Sequence, residues 1–199
     1  MVNKKNMLEN IAEYQIILAS NSPRRKELMS GLDISFEIKT LPDIEEFYPD
    51  TLQKEEIPLY LAKLKADAYR TLMQDNTLLI TADTIVWLDG KVYGKPENET
   101  EAKYMLQQLS GRTHEVFTGV CLTTRQKQKS FFAVSKVGFA VLSEAEIDYY
   151  VSKYKPFDKA GAYGVQEWIG YAGVEHLEGS FYNVMGLPVR LLYKYLKEF

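Results

Sequence analysis

The sequence is poor in the residues that build covalent or soft-metal frameworks. Its 199 residues include one cysteine, Cys121, and two histidines, His114 and His176. One thiol makes no intrachain disulfide and no multi-cysteine zinc site, and it is compatible with a reducing compartment. Two histidines far apart in the chain argue against a His-rich centre, so any metal would be a hard cation held by carboxylates. No apolar run approaches the ~18 residues of a membrane span. A signal peptide needs an uninterrupted apolar core, and Glu9 and Glu13 stand where it would lie. Positive charge is not in excess either: 24 Lys and Arg against 27 Asp and Glu leave a net charge of -3. That balance argues against a protein held on nucleic acid by its overall charge. There is no Walker sequence, since GKVYGK at 90–95 has the wrong spacing. The sequence also lacks internal repeats, low-complexity stretches and long linkers. These absences leave a soluble, cytoplasmic protein in which anionic ligands must be met by locally gathered cations.

What is present is ordinary globular material. Hydrophobic residues make up 46% and charged residues 26%, enough apolar surface to offset chain entropy in one domain, or in two lobes sharing a core. Residues 1–14 read as a short leader and 15–199 as a single domain. QIILA at 15–19 reads as a buried strand. SNSPRRKELMSG at 20–31 reads as a tight turn and helix, with Ser22 as N-cap, Pro23 at the first helical position and Gly31 as the stop. Residues 34–39 alternate as a strand would, and the acidic stretch 42–50 reads as a loop. Pro58 opens a second helix with Leu61, Leu64, Ala68 and Leu72 on one face. TLLITADTIVWL at 77–88 is the most apolar strand, and Asp89-Gly90 is a hairpin signal leading into KVY. A third helix carries Ala102, Met105, Leu106 and Leu109 and ends at Gly111. Residues 114–124 and 129–142 read as strands joined by the polar turn RQKQK. Ser143 and Glu146 form a capping-box pattern for a helix reaching about Lys153. The glycine-rich segment 155–179 reads as irregular backbone. Pro188 starts a C-terminal helix bearing Leu191, Leu192, Tyr195 and Leu196. Strands and helices alternate early and strands cluster in the middle, which predicts an α/β fold with a mixed sheet.

Three groups of residues carry candidate chemistry. Strand–SNSPRR–helix gathers backbone N–H groups, Ser20, Ser22, Arg24 and Arg25 at one helix N-terminus, where unpaired N–H groups and the dipole attract anions. Two cations in a first turn cost about 0.3–1 kcal/mol each unless an anion is present, so a bound phosphate would reverse the sign. The alternative is a capped helix whose arginines point into water. Asp83 lies within the apolar ITADTIVW, where a carboxylate is costly unless paired or metal-bound. It is a candidate metal ligand or proton acceptor, or else a turn aspartate bonding backbone N–H groups. Glu45 and Glu46 lie in the acidic loop, as metal ligands or as solvent-exposed charges. Lys65 reads by default as a solvated helical lysine and Thr84 as an ordinary strand threonine. Lys95, before a proline, is placed to reach into a cleft. In DKAGAYGVQ, Asp158, Lys159 and Gln166 flank glycines that let backbone approach a ligand, and Gln166 offers donor and acceptor to a base edge. His114 reads as a strand-edge residue with no role.

Taken in order, LASNSPRRKELM, LAKLKA, TADTIV, GKPENETEA, LSGRTHEVFTGV, DKAGAYGVQ and GSFYNVMGLP resemble the Maf family of nucleotide pyrophosphatases, from about Ile16 to Leu196. The resemblance implies an α/β fold with a central mixed sheet flanked by helices, two lobes and a cleft, similar to that of inosine triphosphate pyrophosphatases. It implies hydrolysis of nucleoside triphosphates to monophosphate and pyrophosphate with a divalent cation (Mg, Mn or Co), and a homodimer. By motif, Ser20, Arg24 and Arg25 would hold phosphates, and Asp83 would accept a proton. Glu46, with Asp83, would place the metal, and Lys65 and Lys95 would face the triphosphate. Arg24, Thr84 and Gln166 match positions linked to substrate choice. Ala82–Thr84 and DKAGAYGVQ resemble the branch acting on dTTP and UTP, including modified pyrimidine nucleotides, rather than the branch acting on 7-methyl-GTP. Two departures stand out: Glu45-Glu46 where the family often has Asp-Glu, and Lys155-Pro156 where it often has Glu-Pro. The rival readings are a 7-methyl-GTP pyrophosphatase, a nucleotide-binding regulator of septum formation and division, and a single-stranded nucleic-acid binder built on the 14 tyrosines and the RQKQK turn.

Overall fold

The computed structural model describes residues 7–199 apart from Asp43. Residues 1–6 of the expected leader, and Asp43 of the acidic loop, lie outside the described residues. The rest of that leader folds back onto the molecule. Leu8 and Ile11 are buried in the main core, and Asn10 Nδ2 donates to Leu196 O at 2.7 Å.

One seven-stranded mixed sheet organises the chain. Strands β1 (Gln15–Leu18), β2 (Glu37–Ile38) and β3 (Thr77–Leu88) are parallel, with β1 in the middle. On its other side β3 pairs antiparallel with β5 (Thr113–Thr123), then come β6 (Gln128–Phe139) and β7 (Val174–Glu178). The short β4 (Lys91–Tyr93) returns on β3 through the Asp89-Gly90 turn. Alternation along β3 decides which helices it meets. Leu78, Ile80 and Ala82 face a core shared with α1 (Pro23–Ser30), α3 (Glu99–Leu109), α4 (Glu144–Tyr154) and α7 (Val189–Lys197). Leu79 and Ile85 face the opposite side, which α2 (Glu56–Ala68) covers. Thr81 Oγ1 ties the two by donating to Ala62 O at 2.7 Å. Two short helices, α5 (Trp168–Gly173) and α6 (Phe181–Met185), complete the set.

Three sequence expectations change. Helix α2 begins at Glu56, and its inward row is Ile57, Leu61, Ala62 and Ala66, while Ala68 and Leu72 are exposed. The helix lies so close to β5 that a Cβ on Gly119 would come within 2.4 Å of the Pro58 backbone. Such an approach favours small side chains inward, which a leucine-weighted pattern misses. Residues 155–179 are less irregular than their glycines suggest, holding a 3-10 turn at Ala160–Ala162, α5 and β7. Strand β7 is exposed or half-buried throughout, so no alternation announces it. Of 34–39, only Glu37–Ile38 pairs in the sheet.

Candidate active site

The cleft arises from unequal strand lengths. The last β1-side bond runs from Ala19 N–H to Ile80 O at 2.9 Å, and β4 joins β3 only from Val86. Among the described residues, 81–85 therefore lack a strand neighbour on that edge, and a cleft of about 550 Å³ opens there. It lies past the carboxyl ends of parallel strands, where α/β sheets place their ligands. Its lining includes Arg24, Arg25, Lys65, Lys95 and Lys159 against Glu46, Asp83 and Asp158. Local charge is thus positive in a chain that is negative overall.

Alternation splits the two neighbours at the gap. Asp83 points to the α2 side, where Lys65 Nζ meets Oδ1 at 2.5 Å and Glu46 Oε1 at 3.1 Å. The Lys65 side chain is 13% exposed, so the solvated-lysine alternative fails. Asp83 is a paired acid within the sheet, which removes the turn-aspartate alternative. Two carboxylates already converge on one cation here. That donor set suits a hard divalent ion, which binds one or two carboxylates together with substrate phosphates. Among the described residues no cluster of three or more His, Cys, Asp or Glu forms an all-protein metal cage.

Thr84 points the other way, to α1. Its Oγ1 accepts from Arg25 Nη2 at 3.1 Å and lies 3.0 Å from Thr118 Oγ1, which donates to Asn183 O at 3.1 Å. Arg25 also donates from Nη1 to Ala82 O at 2.9 Å and from Nε to Gly186 O at 2.8 Å. Burial lowers the pKa of this guanidinium, and Asp83 opposes that shift. Arg25 is therefore a bracket holding α1, β3 and the end of α6 together, with three of its donors committed to protein oxygens. Arg24 turns to the far wall, where Nη1 meets Asp158 Oδ2 at 2.6 Å and Nη2 donates to Asp158 O at 3.2 Å. The electrostatic cost of two cations in the first turn is thus offset by the chain's own oxygens. Ser22 caps the helix as expected, its Oγ accepting from Arg25 N–H, and Ser20 Oγ accepts from Ser22 N–H at 3.2 Å.

The far wall is the DKAGAYGVQ loop. Lys159 Nζ lies 2.8 Å from Asp158 Oδ1 and 3.2 Å from Glu167 Oε1. Tyr150 Oη of α4 donates to Glu167 Oε2 and accepts from Gly164 N–H at 2.9 Å. Burial opposes ionisation of Asp158, but bonds from Lys159 and Arg24 outweigh it and hold its carboxyl down to about 2. His114 is not a strand-edge residue: it is buried, with Nε2 at 2.7 Å from Tyr163 Oη, and it anchors this loop to β5. Burial alone pushes its pKa down to about 4. Gln166 lines the cleft, with a buried Oε1 that has no hydrogen-bond partner among the described residues. Lys95 lines the cleft from the β4–α3 connection and is exposed.

A family model described as Maf-like protein matches residues 15–199. The chain belongs to the Maf family. It is 66% identical over 192 residues to a protein named dTTP/UTP pyrophosphatase from Phocaeicola vulgatus, covering 96% of this chain and 100% of that one. A protein of the same name from Porphyromonas gingivalis is 60% identical over 195 residues, covering 97% and 98%. The solved HAM1 protein from Coxiella burnetii overlaps 94% of this chain and 100% of its own, with TM-score 0.49 and 19% identity.

The two departures from the Maf pattern leave the cleft intact. Glu45 is exposed, and Lys155 is an exposed left-handed cap of α4 with φ 45°, outside the lining. All nine candidate residues, Ser20, Arg24, Arg25, Glu46, Lys65, Asp83, Thr84, Lys95 and Gln166, do line one cleft. Residue-by-residue reading missed the supports: Thr118, Asn183, Tyr150, Glu167 and the His114–Tyr163 pair. The motif strings contained most of them, but no spacing rule shows that residues so distant meet.

Proposed function

We propose that this Maf-family chain hydrolyses dTTP and UTP to the monophosphate and pyrophosphate. The observation that carries the reading is the convergence of Lys65, Lys95, Arg24 and the SNSPRR turn around a buried Asp83 in a single cleft. Water attacks the α-phosphorus while Asp83 takes its proton; Lys65 occupies Oδ1, and no donor among the described residues engages Oδ2. The cations offset charge on the phosphates and the leaving pyrophosphate, most strongly where water is excluded. Glu46 and Asp83 would hold a divalent cation, Mg, Mn or Co, which when bound supplies Lewis-acid stabilisation of phosphoryl oxygens. The Oε1 of Gln166, unpartnered among the described residues, would accept from the ring N3–H of uracil or thymine, where cytosine has an acceptor nitrogen. Thr84, held by Arg25 and Thr118, would stand beside it as the second base-reading group.

The reading includes one catalytic domain at 15–199, a homodimer and a cytoplasmic location. The single Cys121 is buried and compatible with a reducing compartment, and among the described residues no helix is long and apolar enough to cross a membrane. The test is a panel of nucleoside triphosphates with Mg²⁺ or Mn²⁺, scoring pyrophosphate against orthophosphate. UTP and dTTP should lead and release pyrophosphate. Orthophosphate as sole product, or preference for 7-methyl-GTP, would overturn the reaction or the substrate class respectively.

A further inference from the structure

The Arg24–Asp158–Lys159 arrangement has an unequal distribution of contacts. The Asp158 carboxylate stands between two cations, with Oδ2 at 2.6 Å from Arg24 and Oδ1 at 2.8 Å from Lys159. Each cation has a second, independent hold. Arg24 Nη2 is bonded to the Asp158 backbone carbonyl, and Lys159 is bonded to Glu167, itself fixed by Tyr150. Removing the Asp158 side chain from between them therefore leaves both cations positioned. Among the described residues the carboxylate itself has no such second hold. It sits on a turn, and its side chain is 54% exposed against 19% for Arg24 and 9% for Lys159. All three residues line the cleft.

A carboxylate bridging two fixed cations does what two phosphate oxygens would do. We infer that Arg24 and Lys159 form a phosphate-binding pair for which the Asp158 carboxylate competes, so that Lys159 is a further substrate-binding residue and Asp158 an internal counter-ion displaced by the polyphosphate. The inference rests on the proposed pyrophosphatase reading for its ligand class. Displacement swaps one set of charge-assisted bonds for another and returns a carboxylate to water. Affinity is thereby lowered relative to an unscreened pair, which favours release of pyrophosphate after the reaction. Asp158 also keeps two neighbouring cations from repelling one another.

The test uses inorganic pyrophosphate as probe, by titration calorimetry on the full chain, alongside UTP kinetics. Asp158→Asn removes the charge and keeps an oxygen acceptor. It should tighten pyrophosphate about tenfold and lower KM for UTP. Lys159→Met should weaken pyrophosphate at least tenfold, and in that background Asp158→Asn should gain less than it does alone. Unchanged or weaker pyrophosphate binding by Asp158→Asn overturns the inference. A second arm needs no variant: carboxyl ¹³C NMR of the unsubstituted protein. The Asp158 titration midpoint should rise by more than one unit when pyrophosphate saturates, and a fixed midpoint overturns the inference equally. The two proposals fail separately. Pyrophosphate binding that responds to Asp158 without any nucleotide turnover sinks the pyrophosphatase reading alone. Normal turnover with an indifferent Asp158 sinks only the counter-ion role.

Discussion

The two walls of the cleft each present a carboxylate against cations, yet they are built differently. On the α2 wall Asp83 is part of a twelve-residue strand, 8% exposed, and pinned between β5 and Lys65. On the loop wall Asp158 sits on a turn between α4 and a 3-10 turn, with its side chain largely in water. Rigid sheet backbone fixes an atom against which a reaction can be aligned, since misplacement by an ångström is costly in rate. A turn held by side-chain bonds fixes the frame and leaves its exposed charge free to exchange partners. Under the proposed function, that difference assigns chemistry to the sheet wall and binding and release to the loop wall.

The sharpest way to break that comparison is Asp83→Asn. It should lower kcat by about 10³-fold or more while leaving the fold intact, because proton acceptance goes but the paired geometry survives. Pyrophosphate release and circular dichroism check this; near-normal turnover removes Asp83 from the reaction. The next effect concerns the loop wall's anchor. His114 titrates near 4 in the folded chain against ~6.5 unfolded, so between those values the unfolded chain binds the extra proton. Stability is full above about pH 6.5 and falls by about 3 kcal/mol as pH drops toward 4. Urea unfolding at pH 7 and pH 4.5 should show the loss, and His114→Gln should flatten it; an unchanged slope would assign the pH dependence to other groups.

Tyr150→Phe comes third. It strips Glu167 of a donor and Gly164 N–H of its acceptor in a buried site, at a cost of about 2 kcal/mol. Thermal unfolding should register it, with KM for UTP rising more than kcat falls; a pure kcat loss would move chemistry onto the loop wall. The smallest expected effect is Ser22→Ala, which removes an N-cap and should cost about 1 kcal/mol. Its signature is a lower Tm with Arg25 still clamped, and an unchanged Tm would show that the cap contributes nothing.

Much of this was legible before any coordinates. Ser22, Pro23 and Gly31 bracketed α1, Ser143 and Glu146 gave the capping box of α4, and Asp89-Gly90 gave the β3–β4 turn. Local rules suffice there, because each signal satisfies backbone groups within a few residues. They failed where a partner lies far along the chain. Lys65 read as solvated until Asp83 and Glu46 stood beside it. The adjacent Arg24 and Arg25 read alike, yet one pairs across the cleft and the other is bound by three protein oxygens.

By itself the sequence determined the α/β class through local pattern and helix-end chemistry, while the ordered motifs, through their resemblance to the Maf family, supplied the family and the cast of cleft residues. Tertiary structure alone decided that Asp83 and Thr84 face opposite sides of one strand, that Arg25 is a bracket, and that the Asp158 carboxylate lies between Arg24 and Lys159. Those facts depend on strand pairing and helix approach across long separations in the chain, and no neighbouring residue encodes the distance between two side chains that only the folded sheet brings together.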